Sequence, residues 1–156
     1  MFKIIRVVLA IMIIGFAGFA AAQGTPADNM EIVKQKVRTD KKLFIATNMQ
    51  LTESEAKSFW PVYDAYQAEL ETLVNRKGQL IEKFAVNFEN LSDGLAKSLL
   101  DTDLAIDSAY QKLRQSYLAK FRGVLPDKKV ARFYQLESKI RAVVEFEIAR
   151  RIPLVQ

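Results

Sequence analysis

Three aspartates in the pattern Asp101-x-Asp103-x-x-x-Asp107 come closest, by type and spacing, to a constellation that could bind a metal or do chemistry. A calcium loop needs alternating acidic ligands, a glycine at its sharp turn and a terminal glutamate. Here the glycine and the glutamate are missing, and the aspartates fall inside a helical period. On a helix, positions 101 and 103 point about 200° apart, so no metal is expected there. The chain contains no histidine and no cysteine. Their absence removes the commonest metal ligands, the usual general base and thiol chemistry. No glycine-rich phosphate loop and no nucleophile elbow occurs. Each remaining carboxylate reads more simply as a cap, a helix-dipole partner or half of an ion pair. No catalytic residue, metal or cofactor is assigned, and an enzyme is not expected.

The aromatic residues say more. Leu51-Thr52-Glu53-Ser54-Glu55-Ala56-Lys57-Ser58-Phe59-Trp60-Pro61-Val62-Tyr63 joins a helix start to an aromatic cluster. Thr52 and Glu55 have the spacing of a capping box, in which the hydroxyl accepts a first-turn N–H and the carboxylate reaches back. Glu53 and Glu55 also suit the positive end of a helix. A weaker copy, Leu125-Pro126-Asp127-Lys128-Lys129-Val130-Ala131-Arg132-Phe133-Tyr134, follows 74 residues later. Two copies predict an all-α chain of four helices arranged as two long helical hairpins. Trp60 lies about 100° from Phe59, at the edge of the apolar stripe. It either packs against a neighbouring helix or, with Tyr134 at the equivalent place in the second copy, forms an apolar patch on a basic surface. Lys128 and Arg132 supply charge beside Tyr134 in that second reading, and such patches mark interaction sites.

The elements that must position these residues follow from apolar period and punctuation. Gln23 to Asp28 reads as a flexible leader containing Gly24 and Pro26. Asp28 or Asn29 caps the first helix, which carries Ile32, Val33, Val37, Phe44 and Thr47 along one side. Lys34, Arg38, Lys41 and Lys42 share about 100° of its polar arc. They form either a solvated face or a docking surface for an acidic partner. The second helix has the stripe Phe59, Tyr63, Tyr66, Leu70, Leu73/Val74, Leu80/Ile81, Phe84 and Phe88. Pro61 is expected to kink it without breaking it, because the period continues past the proline. Lys77 falls on this stripe and is expected to lie along the seam with its amine in water. Ser92 or Asn90 caps the third helix, with the stripe Leu95, Leu99, Ile106, Ala109/Tyr110, Leu113, Tyr117 and Phe121. Gly123 is expected to end it in the left-handed conformation. Pro126 opens the fourth helix, whose stripe is Val130, Phe133, Leu136, Ile140, Val143/Val144 and Ile148, and Pro153 stops it. Glu137–Arg141, Arg141–Glu145 and Glu147–Arg151 read as solvent-facing pairs at i, i+4.

Lys3 and Arg6 precede an uncharged apolar run from Val7 to Ala20, and Ala20-Ala21-Ala22 offers small residues for cleavage. Residues 1–22 are expected to be a cleaved signal peptide. The rival is a retained anchor, for which the run is short of the usual span of about 20 residues. The remaining 134 residues suit one helical domain over 29–153 with a tail at 154–156. That domain can bury a core without disulfides or metals. Removal of Lys3 and Arg6 lowers the formal charge from +5 to +3. The exported chain is only mildly basic, which suits acidic surfaces or unfolded chains as partners and gives no reason to expect nucleic acid.

An exported, small, cysteine-free helical chain with Leu51-Thr52-x-x-Glu55 opening a long helix resembles the periplasmic Spy/CpxP family, whose members carry an LTxxQ motif, typically twice. Glu55 stands where that family has Gln and can fill the same capping role. The second copy, Leu125-Pro126-Asp127-Lys128-Lys129, has lost both the Thr and the Gln. Phe59-Trp60-Pro61-x-Tyr63 is similar to a bacterial branch described as envelope or sigma-factor-linked sensors. The resemblance implies a bent bundle of hairpins, often a homodimer, in the periplasm of a Gram-negative envelope. It also implies an ATP-independent holdase that keeps unfolded proteins on a basic, partly apolar face. Other relatives restrain a stress-sensing kinase, so a sensor kinase or anti-sigma complex is the alternative partner. A metal-sensing role is disfavoured, since that branch relies on histidine.

Overall fold

The computed structural model describes the backbone of residues 26–155 and the side chains of residues 38–155. The expected signal peptide, and the leader up to Thr25, lie outside the described residues. Four α-helices follow in order: α1 Pro26–Met49, α2 Glu53–Asn87, α3 Asp93–Arg122 and α4 Asp127–Ala149. A short 3-10 turn, Phe88–Asn90, links α2 to α3, and no strand occurs among the described residues. The fold is all-α. No helix among the described residues is long and apolar enough to cross a membrane.

Helix boundaries follow local chemistry. α1 begins at Pro26, so Asp28 and Asn29 lie within the helix and do not cap it. Proline's fixed φ suits a first turn, where its missing N–H costs nothing. Thr52 caps α2 with a complete capping box. The Thr52 hydroxyl accepts from the Glu55 N–H at 3.3 Å. The Thr52 N–H donates to the Glu55 carboxylate at 2.7 Å. α2 then runs uninterrupted through Pro61 and Gly78. Ser92 caps α3 by accepting from the Leu95 N–H.

Gly123 does not take the left-handed conformation expected of it; its φ and ψ are −69° and −16°. The last turn of α3 tightens instead. The Phe121 carbonyl accepts from both Val124 and Leu125 N–H groups at 3.1 and 2.9 Å. These bonds occupy carbonyls that a left-handed cap would otherwise satisfy. The left-handed residue is Gln50, with φ 50°, immediately after α1. At the other end of the chain, α4 stops at Ala149. Turns bonded to the Phe146 and Ile148 carbonyls carry the chain on to Ile152, just before Pro153.

The chain falls into two compact units. One spans Leu51–Val130 and holds the α2/α3 hairpin with the first turn of α4. Its core is Phe59, Tyr63, Tyr66 and Leu70 from α2, with Leu99, Ile106, Tyr110, Leu113, Tyr117 and Phe121 from α3. Phe59 meets Phe121 at 5.7 Å between ring centroids, and Tyr66 meets Tyr117 edge-on at 5.3 Å. These are the residues picked out by the apolar period. Each fully buried side chain of this size contributes roughly 1.5–3 kcal/mol. Farther along the same stripe, Leu73, Leu80, Ile81, Phe84 and Phe88 are only half-buried. Lys77 lies on the seam, but its ammonium pairs with Asp103 across the hairpin.

The other unit contains the described part of α1 and Ala131–Pro153. Ile45, Met49, Phe133 and Leu136 are buried in it. The expected α1 stripe needs correction. Thr47 is exposed and its hydroxyl donates to the Leu43 carbonyl at 2.9 Å, while Phe44 is only half-buried. The side chains of Ile32, Val33 and Val37 lie outside the described residues. The buried edge is Lys41, Ile45 and Met49, one residue every four. Its first member is charged, which disguises the period.

Lys41 explains a second correction. Glu137, expected to face solvent, is only 3% exposed. The Lys41 ammonium donates to its carboxylate at 2.9 Å. A buried carboxylate needs such a partner, because desolvation otherwise penalises the charge. The Arg141–Glu145 pair is present as expected, and Glu147 is met by both Arg150 and Arg151.

Candidate functional site

The start of α2 and the start of α4 are the places to which the duplicated stretch points. In the first unit, the Lys129 ammonium hydrogen-bonds the Glu55 carboxylate. These residues are separated by 74 positions, which is the offset between the two copies. The same position in each copy therefore supplies one half of an ion pair. Two helix N-termini carry like partial charges, and Glu55 sets a full negative charge beside them. The Lys129 ammonium, followed by the Thr52 backbone N–H, holds the Glu55 carboxyl below the usual carboxylate range. Its folded-state value is depressed, so the stability tied to it is present above the ordinary carboxylate pKa. That stability is lost as pH falls through the lowered value.

Trp60 is half-buried on α2. Its ring meets Phe59 at 5.0 Å and Tyr63 edge-on at 5.3 Å. Tyr134, in the other unit, is also half-buried and meets Phe133 edge-on at 5.6 Å. Both copies thus repeat one device: a fully buried Phe followed by a half-buried aromatic set against its edge. Lys128 and Arg132 are exposed, as is Arg38, and Lys42 is half-buried. Lys41 leaves the expected basic face, since its side chain is 14% exposed and tied to Glu137. The side chain of Lys34 lies outside the described residues.

The acidic pattern on α3 is divided among cations. Asp101 accepts from Lys97 at 2.8 Å and Asp103 pairs with Lys77. No group of three or more potential metal ligands occurs among the described residues.

Sequence reasoning missed an exposed apolar set on the hairpin: Val74 and Val86 on α2, and Leu100 and Leu104 on α3. Leu100 and Leu104 are 60% and 58% exposed and lie one turn apart. The signal was available. Leu99 occupies the stripe, so its neighbour Leu100 lies about 100° away, and Leu104 follows it on the same side.

Tyr117 is a titrating group that the hairpin alters strongly. Burial first, and then donation to the Glu69 carboxylate at 2.6 Å, push its phenol up to about 12. Lys120 sits 3.8 Å over the same ring. The folded state holds this proton more tightly than the unfolded chain does. The linked stability is therefore complete below the unfolded pKa of about 10 and is lost as pH rises through the folded value. Ultraviolet difference titration should show a late-ionising tyrosine phase whose amplitude Tyr117→Phe reduces. Ordinary ionisation of every tyrosine in the folded protein would contradict this picture.

No family model, no curated protein and no solved structure matches the chain.

Proposed function

We propose that this protein is an envelope holdase that binds unfolded or acidic proteins without ATP. The observation that carries the reading is the exposed apolar set of the hairpin, Val74, Val86, Leu100 and Leu104, interleaved with Arg76, Lys83 and Lys97. Long-range attraction by cations captures a chain, and local apolar contact then retains it. The half-buried rings of Trp60 and Tyr134 add contact area at low entropic cost. The likeness of Leu51–Tyr63 to the Spy/CpxP motif, and the signal-like residues 1–22, support a periplasmic setting. A regulatory role toward a sensor kinase or anti-sigma complex draws less support, because Lys41 of the α1 basic stripe is tied to Glu137.

The test is suppression of client aggregation by the purified protein, without nucleotide, at stoichiometric and lower ratios. Leu100→Ser with Leu104→Ser should reduce suppression several-fold and leave the melting temperature nearly unchanged, as exposed substitutions do. Trp60→Ala should lower both suppression and stability, because its ring also packs on Phe59 and Tyr63. A folded wild-type preparation that protects no client at any ratio would overturn the reading.

A further inference from the structure

A groove of about 390 Å³ opens along one side of the α2/α3 hairpin, lined by Arg76, Gly94, Lys97, Ser98, Asp101, Thr102 and Ala105. Arg76 reaches it from α2, and the other lining residues stand on α3. From the positions on α3, Leu104 stands within about 20° of Lys97 around the helix and Leu100 within about 60° of it. The exposed leucines therefore border the groove along its Lys97 edge.

Its chemistry is specific. Arg76 belongs to no ion pair among the described residues, so its five donors are available. Lys97 is engaged only with Asp101, at 2.8 Å, with side chains 78% and 60% exposed. An ion pair that exposed contributes little, and its ammonium can turn to an incoming anion. Ser98 adds a hydroxyl. The Thr102 hydroxyl is already spent on the Ser98 carbonyl at 2.7 Å. Gly94 keeps the upper wall open, since a Cβ there would meet nothing within 4 Å.

The formal charge decides the ligand. Arg76 and Lys97 stand against the single carboxylate of Asp101, which leaves the lining with a net charge of +1. A dianionic phosphate would meet the Asp101 carboxylate and outweigh that charge. A carboxylate matches it and accepts two parallel N–H bonds from a guanidinium. The volume also exceeds what one carboxylate needs and falls in the range of small-ligand sites, which leaves room for the chain that carries it. We infer that this groove binds a glutamate or aspartate side chain within an acidic peptide segment of a partner protein. The holdase reading is not required: a protein that protects no client can still bind such a segment.

The experiment measures fluorescence anisotropy of a labelled peptide rich in glutamate, and of its glutamine counterpart, on the full chain. The glutamate peptide should bind and the glutamine peptide should bind at least tenfold more weakly, the loss expected when a charge-assisted contact of about 1.4 kcal/mol is removed. Arg76→Gln and Lys97→Gln should each weaken binding by about tenfold, with unchanged circular dichroism melts. Asp101→Asn should strengthen it. Equal binding of the two peptides, indifference to both cation substitutions, or binding of inorganic phosphate in preference to the peptide would each overturn the assignment.

Discussion

Phe121→Ala is expected to destabilise the protein by about 4 kcal/mol, within the range for removal of a buried phenylalanine. The residue is 0% exposed at the end of α3. Its ring meets Phe59 at 5.7 Å, Tyr66 at 5.9 Å and Tyr117 at 6.1 Å. Truncation removes the transfer energy of the ring and leaves a hole among three aromatics that are themselves held by other contacts. They cannot all collapse into it, so the cavity penalty stays large. Domains of this size have roughly 5–15 kcal/mol in total, and the variant would sit near the edge of folding. Urea unfolding followed by far-UV circular dichroism measures the loss. Phe121→Leu, which keeps most of the volume, should lose far less. Equal midpoints for the alanine variant and the wild type would mean that these four rings do not form the core.

Lys41→Met is expected to cost about 3 kcal/mol, at the lower end for removing one member of a buried pair. The reason lies on the other helix. Glu137 is 3% exposed and its carboxylate accepts from Lys41 at 2.9 Å. Without that ammonium the carboxylate keeps its desolvation penalty and loses the attraction of Lys41. The double variant, Lys41→Met with Glu137→Leu, removes both charges and leaves an apolar contact of similar volume. It should recover most of the loss and can exceed the wild type, as replacement of buried pairs often does. A thermodynamic cycle from denaturant midpoints gives the coupling. Additive single and double losses would show that the pair is energetically idle. A double variant that is stable but broadens its unfolding transition would indicate that the pair fixes the alignment of α1 on α4.

The two helix starts illustrate what local sequence can carry. Thr52 and Glu55 form the capping box with the spacing at which they were recognised, because every atom involved lies within one turn. The stripes of α2 and α3 are likewise local patterns, and Phe59, Tyr63, Tyr66, Leu70, Tyr117 and Phe121 are buried accordingly. Gly123 shows the limit of such rules. Its type favours a left-handed ending, but Gly123 stays right-handed and the Phe121 carbonyl accepts from both Val124 and Leu125. Glu137 and Lys41 read as surface charges because nothing near either residue in the chain contains the other.

Composition and period alone determined an all-α chain of four helices, the capping box that opens α2 and the apolar face of the central hairpin. These depend on interactions spanning three or four residues, which a linear pattern records. Tertiary structure alone decided which charges meet. Lys129 closes on Glu55 across 74 residues, Lys41 on Glu137 across 96, and Lys77 on Asp103 across 26. It also decided which apolar residues stay uncovered, since Leu100 is exposed only because α2 meets the Leu99 face of α3. Charge pairing and exposure are set by distances in space, and the order of residues along the chain does not encode them directly.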